Sequence, residues 1–104
     1  MPPYLILKAA GYRLDDIYRY TLGEWGKPQT DKYIRGLFQH FTDIAEETAI
    51  SRPIPAEFSV DGYVSRYEKH FVYWKTLSTG QLGIVIILHK RMHQIERFKG
   101  DFDL

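Results

Sequence analysis

Apolar residues recur at helical spacing in two consecutive segments of the chain. The first series consists of Leu14, Ile17, Thr21 and Trp25. The second series consists of Ile34, Leu37, Phe38, Phe41, Ile44 and Ala45. Intervals of three and four residues place such side chains along one face of a helix. Gly26 suits the end of the first helix and Pro28 the first turn of the second, so the two segments predict an antiparallel helical hairpin.

Four shorter apolar segments have the length and composition of β-strands. One covers residues 4–7, and three follow the proline-containing segment 51–55, which predicts a loop. These three cover residues 63–67, 70–74 and 84–88. Their short connections predict an antiparallel meander, and the unbroken apolar run of the last predicts a central strand covered on both faces. The order β-α-α-β-β-β predicts one α+β domain over residues 1–104, with the hairpin packed on a small, mostly antiparallel sheet.

The composition excludes several kinds of site. The chain contains no cysteine, which rules out disulfides, thiolate catalysis and cysteine-based zinc or iron–sulfur sites. Its longest apolar run, residues 84–88, is far shorter than a membrane span. The first residues lack the basic and then apolar pattern of a secretion signal. We therefore expect a cytoplasmic protein that does not enter a membrane.

Charge is distributed unevenly along the chain. Residues 1–62 contain seven Lys or Arg and nine Asp or Glu, a balance of −2. Residues 63–104 contain seven against four, a balance of +3. Within residues 89–99 there are four Lys or Arg, two His and one Glu. A local excess of this kind is typical of a surface that binds phosphate or an acidic protein, although a solvated tail has the same composition.

Several motifs resemble those of ParE toxins in the RelE/ParE superfamily. In the hairpin they are residues 14–21, Trp25-Gly26-Lys27-Pro28-Gln29 and Tyr33. In the second half they are Gly62-Tyr63 and residues 70–74 and 84–92. The matches follow the family order over residues 4–93. This resemblance implies the toxin of a type II toxin–antitoxin system, of the plasmid stabilisation type. It also implies inhibition of bacterial DNA gyrase, alone or with bound DNA, and a ParD-like antitoxin that wraps the toxin in a higher hetero-oligomer.

Target binding is expected near the end of the last strand. The residues concerned are Arg66, His89, Lys90, Arg91, Met92 and His93. The antitoxin is expected to contact hairpin aromatics and part of the same basic stretch. These residues are Tyr18, Trp25, Tyr33, Lys90 and Arg91. We expect action by binding, without a catalytic residue or a cofactor. We also expect no metal, because His89 and His93 lack the third ligand that a metal site needs.

The apolar residues after the last strand allow two interpretations. Met92, Ile95 and Phe98 are spaced three apart, so on a helix they would form one face that anchors the target. Alternatively, they fold back onto the sheet and belong to the core.

The alternative function is ribosome-dependent mRNA cleavage, as in the RelE branch. Such chemistry needs a general acid or base together with cations that stabilise the phosphorane charge. Arg66, His89, Arg91 and His93 would supply those groups if the last strand brings them together. The lysine and arginine cluster typical of RelE catalytic faces is not evident, because Lys69 and Lys75 only flank the strand at 70–74. The sequence therefore favours gyrase inhibition.

Overall fold

The structure, a computed structural model, describes residues 3–92, 94 and 96–98 of the chain. Its helical hairpin comprises α1 (Lys8–Trp25) and α2 (Lys27–Ala45). The strands are β1 (Tyr4–Ile6), β2 (Arg52–Pro53), β3 (Tyr63–Tyr67), β4 (His70–Thr76) and β5 (Leu82–His89). A short 3₁₀ helix covers Ala56–Phe58. No helix in the described part of the chain is both long enough and apolar enough to span a membrane.

The five strands form one mixed sheet in the order β1-β5-β4-β3-β2. β1 runs parallel to β5, and every other neighbouring pair is antiparallel. β5 lies between β1 and β4, and its residues 83–88 are buried. This confirms both the α+β architecture and the central position predicted for the last strand.

An irregularity interrupts the pairing of β4 with β5. His70 lies opposite His89 and Tyr73 lies opposite Ile86, but Trp74 lies opposite Ile84. Val85 is therefore an extra residue in β5, as in a β-bulge. The pairing of His70 with His89 depends on this one-residue offset.

The segment 51–55, predicted as a loop, contains the two-residue strand β2. β2 pairs with β3 at the edge of the sheet, where Pro53 is tolerated because its missing N–H would face solvent. Two side chains hold the chain just before β2. The Ser65 hydroxyl donates to the Ile50 carbonyl at 2.7 Å, and the Trp74 indole N–H donates to Ser51 Oγ at 3.0 Å. These bonds lie between distant residues and have no local sequence signal.

Gly26 alone separates the two helices, so the connection is one residue shorter than predicted. Its φ of 80° lies in the region that favours glycine. The Thr30 hydroxyl donates to the Gly26 carbonyl at 2.8 Å and fixes the start of α2. On the surface of α1, Arg19 pairs with Asp16 at 2.7 Å.

The sheet is covered by apolar residues on both faces. On the hairpin side the buried core consists of Ala10, Ile17, Leu37, Phe41, Ile44, Val72, Ile84 and Ile87. On the opposite side it consists of Phe58, Tyr73, Val85, Ile86, Leu88 and Phe98. Phe98 is only 1% exposed and Met92 packs against this second cluster. The core interpretation is therefore confirmed for Phe98, and its role as a target anchor is wrong; Ile95 lies outside the described residues.

A buried polar bridge joins α2 to β3. His40 Nε2 lies 2.9 Å from Ser65 Oγ. Because the Ser65 hydroxyl already donates its proton to Ile50, the His40 ring must donate to the serine oxygen. Burial lowers the pKa of His40, which keeps the ring neutral. The bridge thereby satisfies both side chains without a buried charge.

The close contact between α2 and β3 gives a first prediction. A Cβ at Gly36 would overlap the Tyr67 hydroxyl, and the Tyr67 ring is restricted by contacts with Tyr33 and His40. Gly36→Ala should therefore destabilise the fold by about 1 kcal/mol, despite the higher helix propensity of alanine. Gly23→Ala in α1, where nothing lies within 4 Å, should stabilise it by about 0.5–1 kcal/mol. Urea unfolding measures both.

A double variant distinguishes the effect of the overlap with the Tyr67 hydroxyl from the effect of helix propensity. In Gly36→Ala with Tyr67→Phe, the missing hydroxyl removes the overlap and most of the Gly36→Ala cost should disappear. Equal changes for Gly36→Ala and Gly23→Ala would contradict the tight contact.

Candidate binding cleft

A cleft of about 780 Å³ lies between the hairpin and the ends of β3, β4 and β5. α1 and the start of α2 form one wall. The opposite wall comes from the β3–β4 turn, residues 67–70, and from the end of β5. The hydrophobic period of α1 positions buried Ile17 and Thr21 towards the sheet, so that they form part of the lining. The site therefore brings together segments that are far apart in the sequence.

Aromatic side chains are unusually exposed on the hairpin wall. Trp25 is 51% exposed and Tyr20 is 66% exposed. The Lys69 ammonium lies 5.4 Å from the centre of the Trp25 ring, a cation–π distance. Exposed tryptophan and tyrosine next to a cation are typical of residues that anchor a binding partner.

The charged lining is modestly positive. Lys32, Lys69 and Arg91 give three positive charges, and Asp16 and Glu68 give two negative ones, a difference of +1. The Asp16 carboxylate is already paired with Arg19 at 2.7 Å. The cleft therefore favours an acidic group but does not form the extended cationic track that a nucleic-acid backbone needs.

Tyr33 and His70 form a hydrogen bond deep in the cleft. The Tyr33 oxygen lies 2.7 Å from His70 Nδ1. Burial raises the pKa of Tyr33 to about 12, while a hydrogen bond from the Lys69 backbone opposes this rise. Tyr33 therefore keeps its proton, and the neutral phenol and the His70 ring share this hydrogen bond. Burial, with a smaller contribution from His89, lowers the pKa of His70 to about 4, so this imidazole is neutral near neutral pH.

His89 is the last residue of β5 and lies opposite His70 in the sheet. The two ring centres are 5.1 Å apart and the rings are nearly perpendicular, at 88°. The Arg91 backbone N–H donates to His89 Nδ1 at 3.0 Å, so in the neutral ring Nε2 carries the proton. Burial lowers the pKa of His89, and the charges of Arg91, Lys90 and Lys69 lower it further. The cleft thus contains two neutral imidazoles whose Nδ1 atoms are already engaged.

Gln94 fixes the turn that carries Arg91 and Met92. Its Nε2 donates to the carbonyls of His89 at 2.8 Å and Met92 at 3.0 Å. Its Oε1 accepts a hydrogen bond from the Tyr73 hydroxyl at 2.8 Å. The turn is therefore tied to the core on the far side of the sheet, and it holds the end of the cleft in place.

The structure brings some of the predicted site residues together and separates others. Five of them line the cleft: Trp25, Tyr33, His89, Arg91 and Met92. Tyr18 instead lines a second groove, of about 510 Å³, on the outer side of the hairpin. Lys90 is exposed on the turn, and its backbone N–H donates to the Lys69 carbonyl at 2.8 Å. His93 lies outside the described residues.

Arg66 is on the opposite face of the sheet from the cleft. It alternates along β3 with Ser65 and Tyr67, whose side chains contact α2. Its guanidinium lies 6.0 Å from the ring of Phe71, which packs on the far-side core. Its Nε donates to the Glu68 carbonyl at 2.9 Å. The expected grouping of Arg66 with His89 and Arg91 is therefore not formed.

Residues that the sequence analysis did not single out complete the site. Lys69 lies in the β3–β4 turn, His70 begins β4 and Tyr67 ends β3. The predicted meander gave no signal for His70, because regular pairing of residues 70–74 with 84–88 places it opposite Leu88 and only the bulge brings it opposite His89. Gln94 had no signal either, since its partners come from three different parts of the chain.

The donor set of the cleft suits an anion better than a metal ion. Over residues 3–92, 94 and 96–98, no three His, Asp or Glu side chains form a group that could hold a metal ion. The Lys69 and Arg91 side chains and the imidazole N–H groups are all hydrogen-bond donors. They fit a carboxylate or phosphate group.

Sequence comparisons give the same family over nearly the whole chain. A profile described as "ParE toxin of type II toxin-antitoxin system, parDE" matches residues 4–94. The chain is 30% identical over 95 residues to "Toxin ParE1" of Mycobacterium tuberculosis, in two strains. Each alignment covers 86% of this chain and 90% of the relative.

The buried His70 predicts acid-sensitive stability. An unfolded histidine titrates near pH 6.5, whereas the pKa of folded His70 is about 4. Between these values the unfolded chain binds a proton that the folded chain does not, so stability falls as the pH drops from about 6.5 to about 4. Because the ring keeps some solvent contact, we expect a loss of about 2 kcal/mol from this residue.

His70→Asn isolates this contribution. The amide oxygen of asparagine can still accept the Tyr33 hydrogen bond, but the side chain does not titrate. Urea unfolding at about pH 7.5 and about pH 4.5 should show a smaller acid loss for the variant than for the unmodified chain. Identical losses would contradict the neutral, buried state of His70.

Proposed function

The chain belongs to the ParE toxin family of type II toxin–antitoxin systems, and we propose that it inhibits bacterial DNA gyrase by binding. We also propose that a ParD-like antitoxin neutralises it. One observation carries the proposal: residues expected at the antitoxin contact and residues expected at the target contact line one cleft. Trp25 and Tyr33 come from the first set, and His89, Arg91 and Met92 from the second or from both. Two partners that need the same cleft exclude each other, which is how an antitoxin would silence the toxin.

The state of the cleft side chains supports binding over bond-breaking. A general base needs an available lone pair on a group that titrates near the working pH. His70 Nδ1 is engaged by Tyr33, and His89 Nδ1 is engaged by the Arg91 amide. Arg66, the further cation expected in an RNA-cleaving site, is on the other face of the sheet. mRNA cleavage of the RelE type therefore receives no support from this geometry.

The cleft has the parts that a protein partner needs. Trp25 and Met92 contribute apolar surface to its lining, and Lys69 and Arg91 contribute positive charge. Aromatic and arginine side chains in such a setting contribute most of the binding energy in typical interfaces. The outer groove with Tyr18 and the exposed Lys90 would add antitoxin contacts as the antitoxin wraps around the hairpin. A complex of this kind buries more than one face of the toxin.

A supercoiling assay with purified gyrase tests the target. The unmodified chain should inhibit supercoiling, and Trp25→Ala and Arg91→Ala should each weaken inhibition by about tenfold or more, since each removes an aromatic or arginine side chain that lines the cleft. Arg52→Ala is the matched control, because Arg52 is exposed on the edge strand β2 and does not line the cleft. It should inhibit like the unmodified chain.

Two results would overturn the proposal. One is gyrase that supercoils DNA normally in the presence of folded, unmodified toxin. The other is cleavage of mRNA on translating ribosomes that is abolished by Arg91→Ala or His89→Ala. The second result would establish the RelE type of activity in its place.

A further inference from the structure

The cleft places cationic hydrogen-bond donors next to apolar surface. Lys69 and Arg91 carry positive charge, and both neutral imidazoles have their Nδ1 atoms engaged. Apolar surface from Trp25 and Met92 lies in the same cleft. A ligand that matches this arrangement has an anionic oxygen group next to an apolar group.

We propose that the cleft binds a carboxylate side chain of a protein partner, flanked by an apolar residue, and that His89 takes up one proton from solvent as the carboxylate binds. The inference rests on the proposed function only in that the partner is the antitoxin or the target. The chemistry of the site is independent of which of the two it is.

The charge balance favours a peptide carboxylate over a nucleic-acid backbone. The lining has three cations and two acids, and Glu68 and Asp16 would repel a strand with a charge on every nucleotide. Nucleic-acid binding depends on neutralising several phosphates at once. A single carboxylate needs only one or two cations, and Lys69 and Arg91 provide them.

Proton uptake follows from the hydrogen bonds of His89. In the free protein its Nδ1 accepts the Arg91 backbone N–H, so a proton on Nδ1 would break that bond. A carboxylate placed at this turn offers two oxygens. One can accept the Arg91 N–H and the other the new Nδ1–H, so no donor is left unsatisfied. The proton comes from the buffer, and the imidazolium forms an ion pair with the bound carboxylate.

The groups around His89 explain why its ring is neutral before binding. Lys69 faces it from the β3–β4 turn, and Lys90 and Arg91 belong to its own segment. These three charges, together with burial, hold the pKa of His89 below its usual value. A bound carboxylate offsets part of this positive charge, and an opposite charge within hydrogen-bond distance raises a histidine pKa by roughly one unit or more.

Only one of the two histidines is expected to take up the proton. His70 is more deeply buried, contacts Tyr33 of α2, and has a pKa of about 4. A charge on His89 at a ring distance of 5.1 Å would lower the pKa of His70 further. Lys32 from α2 and Asp16 from α1 are the other charged groups that the two helices contribute to the lining.

The test uses synthetic peptides and the unmodified chain. The probe is the acetylated and amidated hexapeptide Leu-Glu-Leu-Phe-Glu-Leu, and its control has Gln in place of both Glu. Binding is measured by NMR titration from about pH 8 to about pH 5.5, where the probe stays ionised. The Glu peptide should bind about 5–10-fold more tightly at the lower pH, and the Gln peptide should show no such change.

Two variants test whether the pH dependence of peptide binding comes from His89. His89→Gln should remove the pH dependence of Glu-peptide binding. His40→Gln is the matched control, because His40 is buried against Ser65 outside the cleft and glutamine can still donate to that serine. It should keep the full pH dependence. In the unmodified chain, the ring resonances of His89 should titrate at higher pH with the Glu peptide present than without it.

Several outcomes overturn the inference. They are pH-independent binding of the Glu peptide, equal binding of both peptides, absence of binding, and preferred binding of single-stranded hexathymidylate, which would make the cleft a nucleic-acid site. None of these depends on gyrase. If the peptide titration gives the expected result but gyrase is not inhibited, the carboxylate site stands and gyrase is not the target. If gyrase is inhibited but the peptide titration fails, gyrase stands as the target and the carboxylate site is rejected.

Discussion

Burial of β5 on both faces is the constraint on which the rest of the structure depends. The strand is flanked by β1 and β4, and its apolar residues are divided between the hairpin-side core and the far-side core. Because both faces are used, the hairpin must pack on one side and the C-terminal segment with Phe98 on the other. His89 ends this strand, so the most buried element of the fold also positions the edge of the cleft.

Polar groups at the margins of the core are satisfied in ways that also define the chemistry of the cleft. Each buried side chain that needs a partner takes one from within the protein, as Tyr33 does with His70 and His40 does with Ser65. In the cleft this requirement leaves the Nδ1 atoms of His70 and His89 hydrogen-bonded within the protein. A pair of histidines, often a sign of catalysis, here belongs to the internal hydrogen bonding of the fold.

The sequence predicted the helices, strands and turns that depend on neighbouring residues. It did not predict the features that depend on strand register or on hydrogen bonds between distant residues. Helical periodicity and turn residues such as Gly26 gave the hairpin and the meander, because both signals act within a few residues. Family motifs pointed to Trp25 and Tyr33 on one wall. The opposite wall could not be assembled, since His70 reaches the cleft only through its register with β5, and Gln94 acts through long-range hydrogen bonds. The two-residue strand β2 was missed because tertiary bonds, not propensity, create it.

The extra residue in β5 shifts the register between the two ends of the β4–β5 pairing by one residue. If the pairing that joins Trp74 to Ile84 continued unchanged, His70 would lie opposite Leu88, and His89 would lie beyond the end of β4. The inserted Val85 advances the second half by one position and brings the two histidines side by side. The side-by-side placement of the two histidines at one end of the sheet therefore depends on one extra residue near the middle of β5. A relative that lacks only the bulge residue would still pair these histidines, whereas one that keeps all eight residues of β5 in regular pairing would separate them.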